Sequence, residues 1–92
     1  MNIHITDTFR ISVDEFGKHQ PEYIKVIAKD RWTGWVSSGV VCNNVAGAVQ
    51  WGIENGHIDP DCILYGSDDL TIGDYLGILN KNMMRWNLSA TR

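Results

Sequence analysis

The apolar periodicity of this chain changes once, at residues 43–44, and that change constrains its fold more than any other feature. Upstream, residues 22–29 (EYIKVIAK) place Ile24, Val26 and Ala28 on one side and Tyr23, Lys25, Ile27 and Lys29 on the other. A period of two over that length is a half-buried strand. Downstream, Val45, Ala48, Val49 and Ile53 recur at helical spacing, with Gly52 on the same face allowing close packing. Asn43 or Asn44 can cap that helix, and Gly56 stands where a helix ends. The chain before the switch reads as β, and most of the chain beyond it reads as α.

The remaining elements obey the same logic. Residues 8–13 (TFRISV) alternate weakly and read as a strand, whereas 15–21, with Gly17 and Pro21, reads as a turn or loop. Residues 35–42 (WVSSGVVC) place Val36, Ser38, Val40 and Cys42 on one side. The stretch joining 22–29 to 35–42 is short enough for a hairpin, with Thr33-Gly34 supplying the positive-φ residue of its turn. Residues 62–65 read as a short edge strand. Residues 71–86 form a second helix. Thr71 and Asp74 make a capping-box-like start, and Ile72, Tyr75, Leu76, Leu79 and Met83 form an apolar stripe. Lys81 and Arg85 favour its C-terminal end. The expected architecture is α+β: a small antiparallel β-sheet with two helices packed on one face, one domain over residues 1–92, with a frayed tail from about 87.

A chain of 92 residues buries a modest share of its surface, so its four Trp, three Tyr and two Phe matter to the core. The longest apolar-leaning run without charge, residues 35–53, contains Ser37, Ser38, Asn43, Asn44 and Gln50 and is no membrane span. The opening MNIHITDTFR has no basic region leading into an apolar block, so a cytoplasmic protein is expected. Cys42 and Cys62, with no CxxC, read as two buried free thiols rather than a disulfide framework.

Little in the chain points to catalysis. His57, Asp59, Asp61 and Cys62 are all metal-ligand types in one loop, GHIDPDC. Alternate residues of an extended loop point apart, however, and no second HxxxH or CxxC completes a site. Asp59-Pro60-Asp61 is also ordinary turn chemistry. The setting of Ser37-Ser38 is not GxSxG, and no GxGxxG or P-loop is present. The expectation is no enzyme, no cofactor and no metal.

Charge is the more informative pattern. Residues 1–31 are balanced, with five basic and five acidic groups. Residues 32–80 hold no Lys or Arg but carry Glu54, Asp59, Asp61, Asp68, Asp69 and Asp74, a net −6. Lys81, Arg85 and Arg92 come after them, bringing the whole chain to −3. Such a block should give one side a negative potential, centred on the loops between the helices, that steers the molecule towards basic partners and away from free nucleic acid. The plainer alternative is that these acids cap turns and keep the chain soluble. Asp68 and Asp69 also adjoin Ile63-Leu64-Tyr65, a possible dry centre for a docking patch.

The stretch RWTGW (31–35) brings two tryptophans to the hairpin. Trp32, placed in its turn, and Arg31 have the character of interface residues, and Trp35 reads as core. Trp51 lies well round its helix from Val49 and Ile53 and either packs on the second helix or is exposed. An alternative function is a direct nucleic-acid binder using Lys25, Lys29, Arg31 and Trp32 as a basic-aromatic strip.

In overall character — short length, α+β pattern, acidic block, solvent-placed aromatics, no catalytic signature — the chain resembles the small anti-CRISPR proteins of bacteriophages, and is similar to those that block the type I-F (Csy) surveillance complex. That family has no common motif, so no residue role carries over by match. The resemblance implies stoichiometric binding to a Cas effector complex in the infected bacterial cytoplasm. Acidic and aromatic groups would meet basic surfaces that otherwise hold guide RNA or target DNA, blocking target recognition or hybridisation. Arg10, Lys25, Lys29 and Arg31 do not suit pure DNA mimicry and would instead touch the guide RNA backbone. The candidate contact residues are therefore Asp59, Asp61, Asp68, Asp69, Lys29, Arg31 and Trp32.

Overall fold

The computed structural model of the chain describes the backbone of residues 1–90 and the side chains through Lys81. Four strands, β1 (Asn2–Thr6), β2 (Phe9–Val13), β3 (His19–Ala28) and β4 (Arg31–Ser37), precede α1 (Val45–Glu54) and α2 (Ile72–Ala90). The strands form one antiparallel sheet in the order β1-β2-β3-β4. The protein is thus α+β, as the switch in periodicity requires.

Register decides which face is buried. Ile3 pairs with Ile11, and Ile11 with Pro21; Phe9 pairs with Tyr23, and Tyr23 with Val36. These positions face the helices. Ile5, Phe9, Ile11, Ala48, Val49, Ile58 and Ile72 form the core, with Tyr23, Trp51, Tyr75 and Leu76 packed around it. Each large side chain fully buried there contributes about 1.5–3 kcal/mol. Gly52 is what lets α1 approach β2: a Cβ there would lie 2.7 Å from Phe9 Cζ and 3.0 Å from Ile58 Cδ1.

The helix ends reflect local chemistry. Asn44 is extended, and its Oδ1 accepts the Gly47 N–H at 2.8 Å. Gly56, at φ 74°, turns the chain out of α1. At α2, Thr71 Oγ1 accepts the Asp74 N–H at 3.1 Å and Asp74 Oδ2 accepts the Thr71 N–H at 3.4 Å, a reciprocal cap. The stripe position Met83, the cations Arg85 and Arg92, and the tail from 87 lie outside the residues whose side chains are described.

Several local expectations are corrected. β1 adds a strand to those expected, its sequence signal being the alternation of Ile3 and Ile5. β3 starts at His19, so Pro21 is not loop; it is buried in the strand and its carbonyl accepts the Ser38 N–H at 3.0 Å. β4 covers Arg31–Ser37 rather than 35–42; beyond it only Cys42 pairs, in a single bridge with His19. The β3–β4 turn is Lys29-Asp30, with Asp30 at φ 61°, a conformation Asp tolerates better than most residues. Gly34 sits inside β4 instead, where the register shifts between Ile24 and Val26. Trp32 is therefore a strand residue, though still exposed. Residues 62–65 make no strand, only the bridge of Ile63 to Thr71. Of the two thiols, Cys42 is half-buried and Cys62 is exposed.

Candidate functional site: an acidic connection and a basic finger

The seven candidate residues fall into two groups. Asp59, Asp61, Asp68 and Asp69 lie on the connection between α1 and α2, and Lys29, Arg31 and Trp32 lie on the β3–β4 hairpin. The first group is tied to β1 and the second extends from β3 and β4.

The connection doubles back on itself. Leu64 N–H donates to Leu70 O at 2.8 Å, Ile72 N–H to Cys62 O at 2.9 Å and Gly73 N–H to Pro60 O at 2.9 Å. Its far end is fastened to the sheet, because Tyr65 N–H donates to Ile5 O at 2.9 Å on the outer edge of β1. Sharp local turns serve the same end: Asp59 Oδ1 accepts the Asp61 N–H at 2.8 Å, and Ser67 Oγ accepts the Leu70 N–H at 2.9 Å. Asp68 and Asp69 occupy the tip, and Asp59, Asp61 and Asp74 the root, where α2 begins. All five are exposed. Among the described residues the single ion pair is Arg10–Glu22, so none of the five is matched by a described cation. Tyr65 and Ile63 remain exposed beside them.

An open cleft of about 580 Å³ lies between the β1–β2 turn, at Thr6 and Thr8, and the root of the connection, at His57, Asp59 and Cys62. His57 is occupied structurally. Its ring lies 4.1 Å from the Tyr23 ring and 5.1 Å from the Trp51 ring, with interplanar angles of 19° and 21°. The Gly56 turn delivers it there, with His57 N–H on Gly52 O at 2.9 Å. Trp51 accordingly does not stand free; it is half-buried, stacks on His57 and flanks Phe9. Among the described residues no three His, Cys, Asp or Glu side chains gather as metal ligands.

The hairpin has the opposite character. β2 stops supporting β3 at Phe9 and Thr8, where Ile24 N–H bonds Thr8 O at 2.9 Å. Beyond that, β3 and β4 continue as a two-stranded finger for about four residues per strand, or roughly 13 Å. Two register shifts twist it, and Thr33 Oγ1 accepts the Lys25 N–H at 2.9 Å within the first. Lys25, Lys29 and Arg31 are exposed, as are Val26, Ile27 and Trp32.

Behind the finger, the sheet face turned away from the helices carries a second aromatic group. Arg10 Cζ lies 4.2 Å from the Trp35 ring centroid, and Arg10 Nε donates to Glu22 Oε1 at 2.7 Å. His4 meets the Trp35 ring edge-on at 5.8 Å and the Tyr65 ring at 5.5 Å. Trp35 is therefore not part of the helix-side core; it is laid across the open face over Arg10. Ile24 pairs with Trp35 and Val26 with Trp32, which puts both tryptophans on that face.

Burial raises the pKa of the Cys42 thiol, and that of the Tyr75 hydroxyl. Neither group lies in the acidic connection or the finger. Among the described residues no helix is long and apolar enough to cross a membrane. No family model matches the chain, and neither a curated protein nor a solved structure matches it.

Proposed function

We propose that the protein is a stoichiometric inhibitor whose acidic connection docks on a basic surface of a nucleic-acid-handling complex. By its resemblance to bacteriophage anti-CRISPR proteins, that complex is a type I-F CRISPR-Cas effector in an infected bacterium, and the consequence of docking is loss of target DNA recognition or hybridisation. The observation that carries this reading is the placement of Asp59, Asp61, Asp68 and Asp69 on one hydrogen-bonded connection, with Asp74 in the first turn of α2, all exposed and unmatched by any described cation. Carboxylates held in place meet a cationic surface without the ordering cost that a loose loop incurs. A guide- or DNA-binding channel, lined with Lys and Arg to hold phosphates, is a surface of that kind. Exposed Tyr65 and Ile63 supply apolar area beside the charges.

The test is to mix the purified protein with a purified type I-F effector complex. The expected results are co-migration at a fixed ratio on size exclusion, weaker association as salt rises, and failure of the loaded complex to bind target DNA. Free passage of the two components, or inhibition at far below one protein per complex, argues against stoichiometric docking.

A further inference from the structure

The finger is chemically unlike the rest of the molecule. Residues 25–34 carry three cations, Lys25, Lys29 and Arg31, against one acid, Asp30, in a chain whose net charge is −3. None of the three makes an ion pair with a described residue. Trp32 is 57% exposed and Val26 62% exposed, side by side across the ladder. A ribbon lacking sheet support on one side gains little stability from holding an indole in water. The same face continues to Ile24 and Trp35, the latter covered by Arg10, whose charge is matched by Glu22, so an elongated ligand leaving the finger meets a further apolar and aromatic surface.

We infer that the β3–β4 finger is a binding element for single-stranded nucleic acid, with Lys29 and Arg31 beside the turn taking phosphates and Trp32 stacking on an unpaired base. The ligand is a single strand because an indole needs an open base face, which a duplex keeps stacked inside. It is a nucleic acid because every residue of such a strand carries both a phosphate for the cations and an aromatic base for the indole, whereas an acidic polypeptide carries a ring only where its sequence happens to supply one. The net negative charge of the protein weakens long-range attraction, so binding depends on these short-range contacts and is modest in the free protein. This inference is independent of the acidic connection; its failure leaves the inhibitor reading standing, and failure of that reading leaves the finger intact.

The test uses the free full-length protein and fluorescence anisotropy of labelled short oligouridylate and oligothymidylate at low salt. Saturable binding of either strand is expected, the tighter of the two identifying RNA or DNA as the natural source. Trp32→Ala lowers affinity by about tenfold, the scale of one stacked base. The pair Lys29→Ala/Arg31→Ala lowers the slope of log affinity against log salt by about 1.4, the value for two phosphate contacts on a single strand. Asp68→Lys/Asp69→Lys leaves binding equal or stronger. All these positions are exposed, and circular dichroism checks that each variant is folded. The inference is overturned by absence of saturable binding, by binding that neither finger variant weakens, or by displacement of the oligonucleotide by polyglutamate at matched charge, which assigns the finger to an acidic protein.

Discussion

The amide of Tyr65 donates to the carbonyl of Ile5 at 2.9 Å, fastening the α1–α2 connection to the outer edge of β1. That bond has two consequences. It satisfies one carbonyl of an edge strand, and it anchors a loop rich in aspartate to the sheet. The basic finger rises from β3 and β4, the other side of the same sheet, so the fold presents two charged elements of opposite sign.

Close packing of α1 on β2 depends on the absence of a side chain at Gly52. In Gly52→Ala the new Cβ meets Phe9 at 2.7 and 2.9 Å, and Phe9 is fully buried. The ring has no space to yield, so a loss of about 1–3 kcal/mol is expected in urea unfolding. Gly34→Ala, where a Cβ meets nothing within 4 Å, serves as the mild control.

Caps rather than interior propensity hold the start of α1, which contains two glycines and no acid in its first turn. Asn44→Ala removes the acceptor for Gly47 N–H and should cost about 1 kcal/mol, read as a lower unfolding midpoint; Asn44→Asp should retain the stability.

The thiols should differ in reactivity. Cys62 is exposed, whereas Cys42 is half-buried and its pKa is raised by burial, leaving less thiolate at any given pH. Alkylation and then peptide mapping should find Cys62 modified first. The sign also sets a stability effect. The folded state holds the Cys42 proton more tightly than the unfolded chain does. Its contribution is complete below the ordinary thiol range and is lost as pH rises towards the raised folded value. Cys42→Ala should flatten that part of the alkaline stability profile.

Arg10 shields one face of Trp35 while paired with Glu22. Arg10→Ala should expose that ring, shift its fluorescence emission to the red and cost about 0.5–2 kcal/mol. Comparison in a Trp35→Phe background isolates the signal from the other indoles.

The helix faces and the caps are legible in the sequence because each is short-range: i, i+3, i+4 spacing for the helices, and Asn44, Gly56, Thr71 and Asp74 at helix ends. Alternation finds β3 but not its buried face, since Tyr23 turns to the helices while Val26 and Ala28 are exposed. The acidic block is legible as well, since charge is counted along the chain and five of its six members fall between residues 59 and 74. The hairpin turn lies several residues before the expected one because Thr33-Gly34 is a stronger local turn signal than Lys29-Asp30; long-range pairing of Ile24 with Trp35 overrides it. Trp35 lies on the opposite side of the sheet from the core it is expected to join because it alternates with Val36, which pairs with Tyr23 on the helix side. The register shift beyond it brings Trp32 to the same face, and nothing local announces that shift. The Tyr23–His57–Trp51 stack joins three separate elements, β3, the connection and α1, and spacing along the chain carries no trace of it.

Reversal of charge at the tip of the connection asks whether the acidic surface is what docks. Asp68 and Asp69 are exposed and make no ion pair with a described residue, so Asp68→Lys/Asp69→Lys should alter folding stability by no more than about 0.5 kcal/mol. The measurement is target DNA binding by the purified type I-F effector complex in the presence of equimolar wild-type or reversed protein. Wild-type protein should block binding, and the reversed variant, equally folded, should not. Equal inhibition by the two proteins contradicts that expectation and removes the acidic connection as the docking surface.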